Sequence, residues 1–565
     1  MRRFYAIPVM ACALVLGASS AVAGPAAEAG PQPEVTYRVK EMIRGAQIHG
    51  ANGLAVDVDG RLLVASVFGG EIVVVDRMTG AIEDRLGHES GVDGPDDVAV
   101  GPDGSIYWTD NLTGEVGRLT PDGSVSKQFV APGLNPIAFT GDGRLFVGQA
   151  FGAGGDGLYE VDPDLAEDPR VVILDSGSPP YAEALNGFDF GPDGMLYAPQ
   201  PALGQIVRID PDSGDMDVVA EGLDADPNSV EFDATGQLFA NLGEQIVAVD
   251  IEAGSVETRA TIPGAVLDNM VFDAKGHLFV SDFHSGAIYR IADGRGVRTL
   301  VKGGLMLPGG VALMPRSANS ESLFVADVWR LLEYDARSGR LVDVEASALS
   351  SRLADDGMIE PWTVAPYGGN VVLTSLSSNA VQIWDPNADE AVKTFRDFIF
   401  PANALRFQDD LVVAEVGTGS VVRLDANGAR TTLASAPLAW PGGLAATDTE
   451  LWVADWGTGQ IHQIAGAGAP RVVASGLSFP EGMAVDRDGS LLVVESGAGR
   501  LTRIDPDPGA GKTVADGLST DVQGPAALFA STLSSVAVDS TGTILVSAAG
   551  SQGSVVYRIR AVPPA

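Results

Sequence analysis

Short apolar segments separated by glycine-containing turns recur along almost the whole chain. One unit begins with the segment 51–56, turns at Asp59-Gly60, and continues with the segments 61–66 and 71–76 and a weaker fourth segment. Such short runs of apolar and β-branched residues, bounded by Gly, Asp or Pro, are typical of β-strands. Three strong strands and one weak strand in each unit predict the four-stranded blade of a β-propeller.

The unit recurs twelve times, at a mean spacing of about 44 residues, which is the span of one four-stranded blade. A single ring of twelve blades would leave a wide central hole, so we expect two tandem six-bladed propellers in an all-β fold. One residue near the start of the first strand occupies an equivalent position in every blade, and we call it the anchor. The anchors are Asn52, Asp96, Asn135, Asn186, Asn228, Asp268, Gly309, Trp362, Asn403, Gly442, Glu481 and Ser534.

The two ends of the repeat pattern predict how the rings are closed. The last unit stops after its third strand, at 555–559, and a spare strand at 35–39 precedes the first unit. We expect the spare strand to complete blade six and the segment 297–301 to complete blade twelve, so that each propeller is closed by its N-terminal strand. The predicted divisions are a signal peptide at 1–23, a disordered leader at 24–34, a first propeller at 35–293 and a second propeller at 294–565.

The N-terminus has the features of a secretory signal peptide. Two arginines are followed by an apolar run over 4–17 and by an Ala-Val-Ala sequence at 21–23, where cleavage is expected. The protein is therefore predicted to be exported, to the periplasm or the extracellular space. The single cysteine, Cys12, lies in this segment, so the mature chain would have no disulfide and no thiol nucleophile. No second apolar run is long enough to span a membrane.

The charge balance narrows the range of partners. The chain has 36 Lys and Arg residues against 74 Asp and Glu residues, a net charge of −38. Nucleic acids and anionic membranes repel a polyanion, so neither is an expected partner. Binding of a cation is compatible with this charge.

The six anchors of the first ring are all Asn or Asp, whereas those of the second ring are mixed. The first strand of a blade runs down the central channel, so six oxygen-bearing side chains would surround one axis at the channel mouth. Such a donor set suits a hard cation such as Ca²⁺, and Asn52 and Asn135 are included among the candidate ligands. The alternative is that Asn and Asp are here only because they favour turns.

Several blade sequences resemble the gluconolactonase/senescence-marker-protein (regucalcin-like) family. The resemblance is carried by Leu185-Asn186-Gly187-Phe188 with Gly191-Pro192-Asp193-Gly194, by Pro227-Asn228-Ser229-Val230, and by Leu267-Asp268-Asn269-Met270. NHL repeats, and the YWTD motif found at 107–110, are related propeller patterns.

The resemblance implies a divalent cation held by Asp96, Asn186, Asn228 and Asp268, with Asp96 in the place of a family Glu. Calcium is the expected ion, and Zn²⁺, Mg²⁺ or Mn²⁺ would also fit. It further implies hydrolysis of a lactone or ester, with Asp268 or Asp96 as general base.

Two histidines are candidates for the same chemistry. His49 precedes the first anchor, and His284 follows the second strand of blade six, so both could reach the mouth of the first ring as base or proton shuttle. The alternative is that both are ordinary loop histidines.

Two other functions stay open. One is a non-catalytic NHL-type propeller that binds an extracellular protein or a glycan. The other is a streptogramin-lyase-like enzyme, because the segment 98–104 followed by 107–110 also resembles that family. In the second ring, Trp362, Asn403, Glu481 and Trp440 are expected at the channel mouth, where they would either bind a flat or sugar-like ligand or plug the channel.

Overall fold

The computed structural model describes residues 36–562 except 150–156, 175–184, 224–225, 293–295, 318–319, 348–356, 426, 436–437, 465–468, 508, 521–533 and 551–552. Within this part of the chain, forty-eight strands form twelve four-stranded antiparallel sheets. The predicted signal peptide and leader lie outside the described residues. No helix in the described part is long and apolar enough to cross a membrane.

The first propeller is built from six sheets that follow one another along the chain, which we call blades 1 to 6. Their strands are β2 (Ala51–Val56), β3 (Leu62–Ser66), β4 (Glu71–Val75) and β5 (Ile82–Leu86); β6 (Pro95–Val100), β7 (Ile106–Asp110), β8 (Glu115–Leu119) and β9 (Val125–Phe129); β10 (Leu134–Phe139), β11 (Leu145–Gln149), β12 (Gly157–Val161) and β13 (Arg170–Leu174); β14 (Asp189–Phe190), β15 (Leu196–Gln200), β16 (Gln205–Ile209) and β17 (Met216–Ala220); β18 (Pro227–Phe232), β19 (Leu238–Leu242), β20 (Gln245–Asp250) and β21 (Ser255–Thr261); β22 (Leu267–Phe272), β23 (Leu278–Asp282), β24 (Ala287–Ala292) and β25 (Gly296–Val301).

The second propeller contains blades 7 to 12, and its last blade includes the first strand of the chain. Its strands are β26 (Val311–Ser317), β27 (Ser320–Asp327), β28 (Arg330–Asp335) and β29 (Leu341–Ala346); β30 (Thr363–Tyr367), β31 (Asn370–Ser375), β32 (Ala380–Asp385) and β33 (Glu390–Phe395); β34 (Pro401–Phe407), β35 (Asp410–Glu415), β36 (Ser420–Leu424) and β37 (Arg430–Ala434); β38 (Pro441–Ala446), β39 (Leu451–Asp455), β40 (Gln460–Ile464) and β41 (Arg471–Ser475); β42 (Pro480–Val485), β43 (Leu491–Glu495), β44 (Arg500–Ile504) and β45 (Gly511–Asp516); β46 (Ser535–Val538), β47 (Ile544–Gly550), β48 (Gly553–Val562) and β1 (Thr36–Arg44). Single 3₁₀ turns lie at His88–Ser90, Pro201–Leu203, Val416–Thr418 and Ser496–Ala498.

The core lies between neighbouring blades. The second strands are buried on both faces, as with Leu62–Ser66, whereas fourth strands such as Val125–Phe129 are mostly exposed. Apolar side chains of adjacent sheets pack into one layer, which in blades 1 and 6 joins Leu54 and Val64 with Phe279 and Ile288. Burial on both faces explains why the sequence of these strands is a continuous apolar run. The predicted all-β, two-propeller architecture is confirmed.

The closing strands differ from the prediction at both ends. The spare strand β1 pairs with β48 of blade 12, from Thr36 opposite Val562 to Arg44 opposite Val555. Strand β25 pairs with β24 of blade 6. The physical reason is that only three residues separate β24 from β25 along the chain, so pairing these two strands costs little loop-closure entropy, and the unfilled edge of blade 12 is left for β1. The protein's N-terminal strand therefore closes the second propeller, and the first closes by packing of β2 against β22.

The two propellers are in contact, as expected. The connecting segments run side by side, and the amide of Ala46 donates to the carbonyl of Leu305 at 2.8 Å. Beside them, the ring of Trp329 in the second propeller lies 5.3 Å from Phe68 and 5.1 Å from Phe283 of the first. An aromatic cluster thus joins blades 1 and 6 to blade 7.

Candidate functional site at the mouth of the first propeller

The anchors of the first propeller lie in bulges of the innermost strands. In blade 1, Ala51 pairs with Ser66, but the next pair is Leu54 with Val64, so Asn52 and the residue after it are left out of the ladder. The same irregularity falls between Pro95 and Val98, Leu134 and Ile137, Pro227 and Val230, and Leu267 and Met270. Bulges re-aim side chains and are common beside functional sites. In blade 4, Asn186 precedes the short strand β14.

Buried polar residues of the second strands hold these bulges. The side-chain oxygen of Asn241 accepts the amides of Asn228 and Ser229, both at 2.9 Å, and its amide group donates to the carbonyl of Asp268 in the next blade. Thr109 makes the equivalent link between the amide of Asp97 and the carbonyl of Asn135. These residues fix the anchors of adjacent blades relative to one another. Sequence reasoning missed them, although a polar residue inside an apolar strand is a readable signal.

A hydrogen-bonded chain of side chains connects blades 6, 1 and 2 at the mouth. Asn269 donates to the side-chain oxygen of Asn52 at 2.8 Å, and the amide group of Asn52 donates to Oδ1 of Asp96 at 3.1 Å. All three residues are buried. The oxygen and the nitrogen of the Asn52 side chain are therefore both hydrogen-bonded, and Asn52 orients the Asp96 carboxylate.

Two buried oxygens at the mouth have no hydrogen-bond partner among the described residues. They are Oδ2 of Asp96 and Oδ1 of Asn135, whose residues are 5 % and 4 % exposed and lie in adjacent blades. A buried polar atom without a partner costs about 1–3 kcal/mol, which a ligand would recover. These two oxygens are the strongest structural sign of a ligand at the mouth.

The other anchors are placed around the same opening. The amide group of Asn228 donates to the carbonyl of Leu267 at 2.9 Å, which fixes the orientation of its side chain. The side-chain oxygen of Asn186 accepts the amide of Gly187 at 3.0 Å. Asp268 is only partly buried, which leaves it accessible from the channel mouth.

The two anchor carboxyl groups have perturbed acidities. Burial, followed by the negative charges of Asp268 and Asp97, raises the pKa of Asp96 well above its usual value. Burial and the charges of Asp97 and Asp282 raise the pKa of Asp268 to about 7. Both residues lie in first-strand bulges, in the two blades that flank blade 1, and the charge of Asp268 acts on Asp96. Like charges held together out of water are characteristic of functional sites.

Three further acids, which the sequence analysis did not single out, lie on the innermost strands of blades 2, 4 and 5. Burial raises the pKa of Asp97 to about 7 and that of Asp189 to about 6, and it raises the pKa of Glu231 strongly, helped by the charge of Asp189. Each carboxyl group accepts a backbone amide of the first strand in the next blade. The pairs are Asp97 with Ile137 at 3.1 Å, Asp189 with Phe232 at 2.9 Å and Glu231 with Phe272 at 3.3 Å. These three hydrogen bonds hold the innermost strands of neighbouring blades together.

The two candidate histidines lie toward the contact between the propellers. The ring of His284 stacks on Trp329, with centroids 5.4 Å apart and planes 10° from parallel. Burial and the charge of Arg85 lower the pKa of His49 to about 4, so that ring is neutral at neutral pH. Its Nε2 atom is buried and has no partner among the described residues. Their catalytic role stays a prediction.

The residues at the mouth fit a hard divalent cation. The donors are oxygens of Asp and Asn, two of them are buried without partners, and the carboxylates repel one another in the absence of a positive charge. No cluster of three or more His, Cys, Asp or Glu suited to a metal occurs in the described part of the chain. The donor set at the mouth therefore depends on the asparagine amides.

The acids at the ends of the second strands have the structural role expected for such positions. Asp110, Asp282, Asp327, Glu415, Asp455 and Glu495 accept backbone amides of nearby loops. In this way Asp327 binds the amides of Met306 and Leu307 in the segment that enters the second propeller.

Fold and site together define a tandem six-bladed β-propeller protein with an oxygen-lined mouth in its first ring. Residues 94–302, which lie within the first propeller, match the family described as SMP-30/Gluconolactonase/LRE-like region. The family resemblance of the first ring is thereby confirmed over these residues. No curated protein matches the chain in sequence.

Several solved structures are similar to this chain. Virginiamycin B lyase from Staphylococcus aureus is 16 % identical over 51 % of this chain and 95 % of its own, with a TM-score of 0.37. The gluconolactonase XC5397 from Xanthomonas campestris is 18 % identical over 49 % and 98 %, with a TM-score of 0.38. The extracellular domain of BT4673 from B. thetaiotaomicron is 12 % identical over 92 % and 82 %, with a TM-score of 0.32.

Proposed function

We propose that this protein is an exported, divalent-cation-dependent hydrolase of lactones or esters that acts at the mouth of its first propeller. The observation that carries the proposal is the pair of buried, partnerless oxygens of Asp96 and Asn135, next to a carboxyl group whose pKa is about 7. The family match over the first propeller supports the reaction class. The signal-peptide pattern at 1–23 supports export.

Asp96 and Asn135 would hold the cation, together with Asn186, Asn228 and Asp268. Asn52 acts on the site through its hydrogen bond to Asp96 and is a positioning residue. Calcium is the expected ion, because all the donors are carboxylate or amide oxygens. When bound, the cation would polarise the substrate carbonyl and stabilise the negative charge that develops on its oxygen.

Asp268 is the proposed general base. Its carboxylate can accept a proton from water as the water oxygen bonds to the carbonyl carbon. The C–O bond to the leaving oxygen then breaks, and the proton passes to that alkoxide, which gives a hydroxy acid from a lactone. Asn241 keeps Asp268 in place through the hydrogen bond to its carbonyl.

The decisive experiment combines metal analysis of the purified protein with assays on a panel of lactones and aryl esters. Wild type should contain a divalent cation, and its melting temperature should fall when EDTA removes the ion. Asp96→Asn and Asn135→Ala should lose this EDTA effect and lower kcat by about 100-fold or more. Asn403→Ala, at the equivalent anchor of the second propeller, is the matched control and should behave as wild type. Identical melting of wild type with and without EDTA would overturn the proposal.

The products distinguish hydrolysis from the lyase alternative. Hydrolysis of a cyclic ester adds one water to the substrate, whereas elimination leaves the mass unchanged and creates a carbon–carbon double bond. Mass spectrometry of the product therefore separates the two. His49→Ala and His284→Ala tested in the same assay show whether either ring carries a proton, since a purely structural role would leave the pH profile of kcat unchanged.

A further inference from the structure

Exposed aromatic side chains lie at the mouth of the second propeller in three consecutive blades. Phe400, Trp440 and Phe479 are 39 %, 40 % and 42 % exposed. Each stands directly before the proline that begins the first strand of its blade, in blades 9, 10 and 11. We call these three residues and Trp456 the aromatic collar. Large aromatic side chains exposed together on a soluble protein mark a binding surface.

The same pair of hydrogen bonds holds the loop that carries the aromatic residue in each of the three blades. The carboxylate that ends the second strand accepts an amide of the loop carrying the aromatic residue: Glu415 binds Ile399 at 2.7 Å, Asp455 binds Trp440 at 2.8 Å, and Glu495 binds Ser478 at 2.9 Å. The carbonyls of Phe400, Trp440 and Phe479 in turn accept the amide of the residue that follows each of these acids. The side chains are thus presented by a rigid frame.

The rings are stacked on one another over small residues. Trp456 lies between Trp440, at 5.4 Å, and Phe479, at 4.4 Å. A Cβ atom on Gly497 would lie 2.3 Å from the ring of Phe479, so glycine is required there for the ring to lie over the turn. Phe479 and Phe400 have φ values of 49° and 52°, a costly conformation for a bulky residue that the frame imposes.

Below the collar lies a small cavity with room for about one hydroxyl-sized group. Glu481, Asn403 and Trp456 line it. Glu481 is 3 % exposed, and its Oε1 atom has no hydrogen-bond partner among the described residues, while Oε2 accepts the amide of Ser534 at 3.0 Å. The indole nitrogen of Trp456 is likewise buried without a partner in the described part of the chain. One carboxyl oxygen and one indole N–H are therefore available to a ligand at the same small cavity.

From this geometry we propose that the mouth of the second propeller binds a neutral saccharide, with a sugar ring against the collar and one hydroxyl group in the cavity. A hydroxyl group carries one hydrogen and two lone pairs, so it can accept from the Trp456 indole N–H and pair with Glu481 Oε1 whether that carboxyl group is protonated or ionised. Aromatic faces with a few fixed polar atoms suit the apolar face of a sugar ring. The acids that end the second strands beside the collar, Glu415, Asp455 and Glu495, are committed to backbone amides, so none of the three is available to a charged ligand. This site is separate from the proposed catalytic mouth.

The test is calorimetric titration of the full protein with three neutral hexasaccharides, namely cellohexaose, maltohexaose and chitohexaose, followed by tryptophan fluorescence. At least one should bind and change the fluorescence. Trp440→Ala and Phe479→Ala should weaken its binding at least tenfold. Phe129→Ala, which removes an aromatic ring 59 % exposed on an outer strand of the first propeller, is the matched control and should bind as wild type.

A second variant tests the cavity without removing the collar. A Cβ atom at Gly442 would meet no atom within 4 Å, and Gly442 lines the cavity, so the methyl group of Gly442→Ala should occupy it without strain and weaken binding at least tenfold. Gly369→Ala, at an equally open glycine in a turn of blade 8, is its control. The proposal is overturned if no hexasaccharide binds up to 10 mM, a limit of about 3 kcal/mol in affinity, or if binding survives both collar variants. Binding of a planar heteroaromatic probe in place of the sugars would also overturn it. Asp96→Asn should leave saccharide binding unchanged, which separates this test from that of the catalytic proposal.

Discussion

Asn52 shows how an anchor can act without being a ligand itself. Its side chain accepts from Asn269 and donates to Asp96, so its role is to hold the Asp96 carboxylate at the channel mouth. The sequence predicted that Asn52 lies at the mouth, because the repeat places it at an equivalent position in blade 1. It could not predict this division of roles, because Asn269 is brought to Asn52 only by the contact between the first and last blades of the ring.

We therefore predict that Asn52→Ala weakens calcium binding by about 10- to 100-fold, as is typical when a residue that orients a metal ligand is removed. Asn135→Ala, which removes a candidate ligand, should weaken it further. Calorimetric titration with CaCl₂ at a temperature where both variants are folded measures the two effects. Equal affinity of Asn52→Ala and wild type would show that Asp96 does not depend on this hydrogen bond.

Glu481 gives a prediction about pH. Burial raises its pKa to about 8, against about 4.5 in the unfolded chain. The folded state therefore keeps a proton that the unfolded state has lost, and the contribution of Glu481 to stability, complete below pH 4.5, decreases as the pH rises through 8. Between pH 4.5 and 8, the free energy of unfolding that Glu481 contributes falls by at most about 1.4 kcal/mol per pH unit.

Glu481→Gln should remove this pH dependence. Urea unfolding of wild type and variant between pH 5 and pH 9 measures it, and the variant should gain stability relative to wild type as the pH rises. A difference between the two proteins that does not change with pH would mean that Glu481 is ionised in the folded state.

At the scale of the strands, the local pattern was sufficient for the blades but not for their closure. Strands within a blade are neighbours in sequence and are joined by short turns, so the pairing of β2 to β5 follows from the order of the segments. Strands β1 and β25 have similar alternating sequences, and nothing in either pattern states its partner. The structure pairs β1 with β48 and β25 with β24.

A disulfide tests this pairing. Arg38 and Arg560 lie directly opposite each other in β1 and β48 and are exposed. Directly opposed residues of antiparallel strands have Cα atoms about 4.5–5.5 Å apart, within the range that a disulfide spans. In a Cys12→Ser background, Arg38→Cys with Arg560→Cys should form a disulfide on oxidation, seen by peptide mapping. Arg38→Cys with Arg290→Cys, in β24, should not; cross-linking of this second pair instead would restore the closure predicted from sequence.

At the scale of the whole molecule, the two propellers are coupled through their connecting segments and an aromatic cluster. The chain passes from blade 12 to the first propeller and back again, and Trp329 contacts Phe68, Phe283 and His284 across the junction. Each such ring pair contributes about 0.5–1.5 kcal/mol beyond the area that it buries. The two propellers should therefore unfold together.

Trp329→Ala should weaken this coupling and split thermal unfolding into two transitions, of which calcium raises only the one belonging to the first propeller. Differential scanning calorimetry with and without calcium measures both effects. Trp440→Ala, which removes an exposed tryptophan away from the junction, should keep the wild-type profile. A single unfolding transition in Trp329→Ala would show that the connecting segments alone couple the two propellers.

The sequence by itself determined the twelve blades, their grouping into two six-bladed rings and the residue at the mouth of each blade. These features depend on turns and on pairing between neighbouring segments, which are local and repeat along the chain. Only the tertiary structure decided which propeller β1 closes, which anchor oxygens are left without partners, and how the aromatic collar lies over the cavity. Each of these depends on contacts between residues of different blades, often hundreds of positions apart, and no local pattern specifies them.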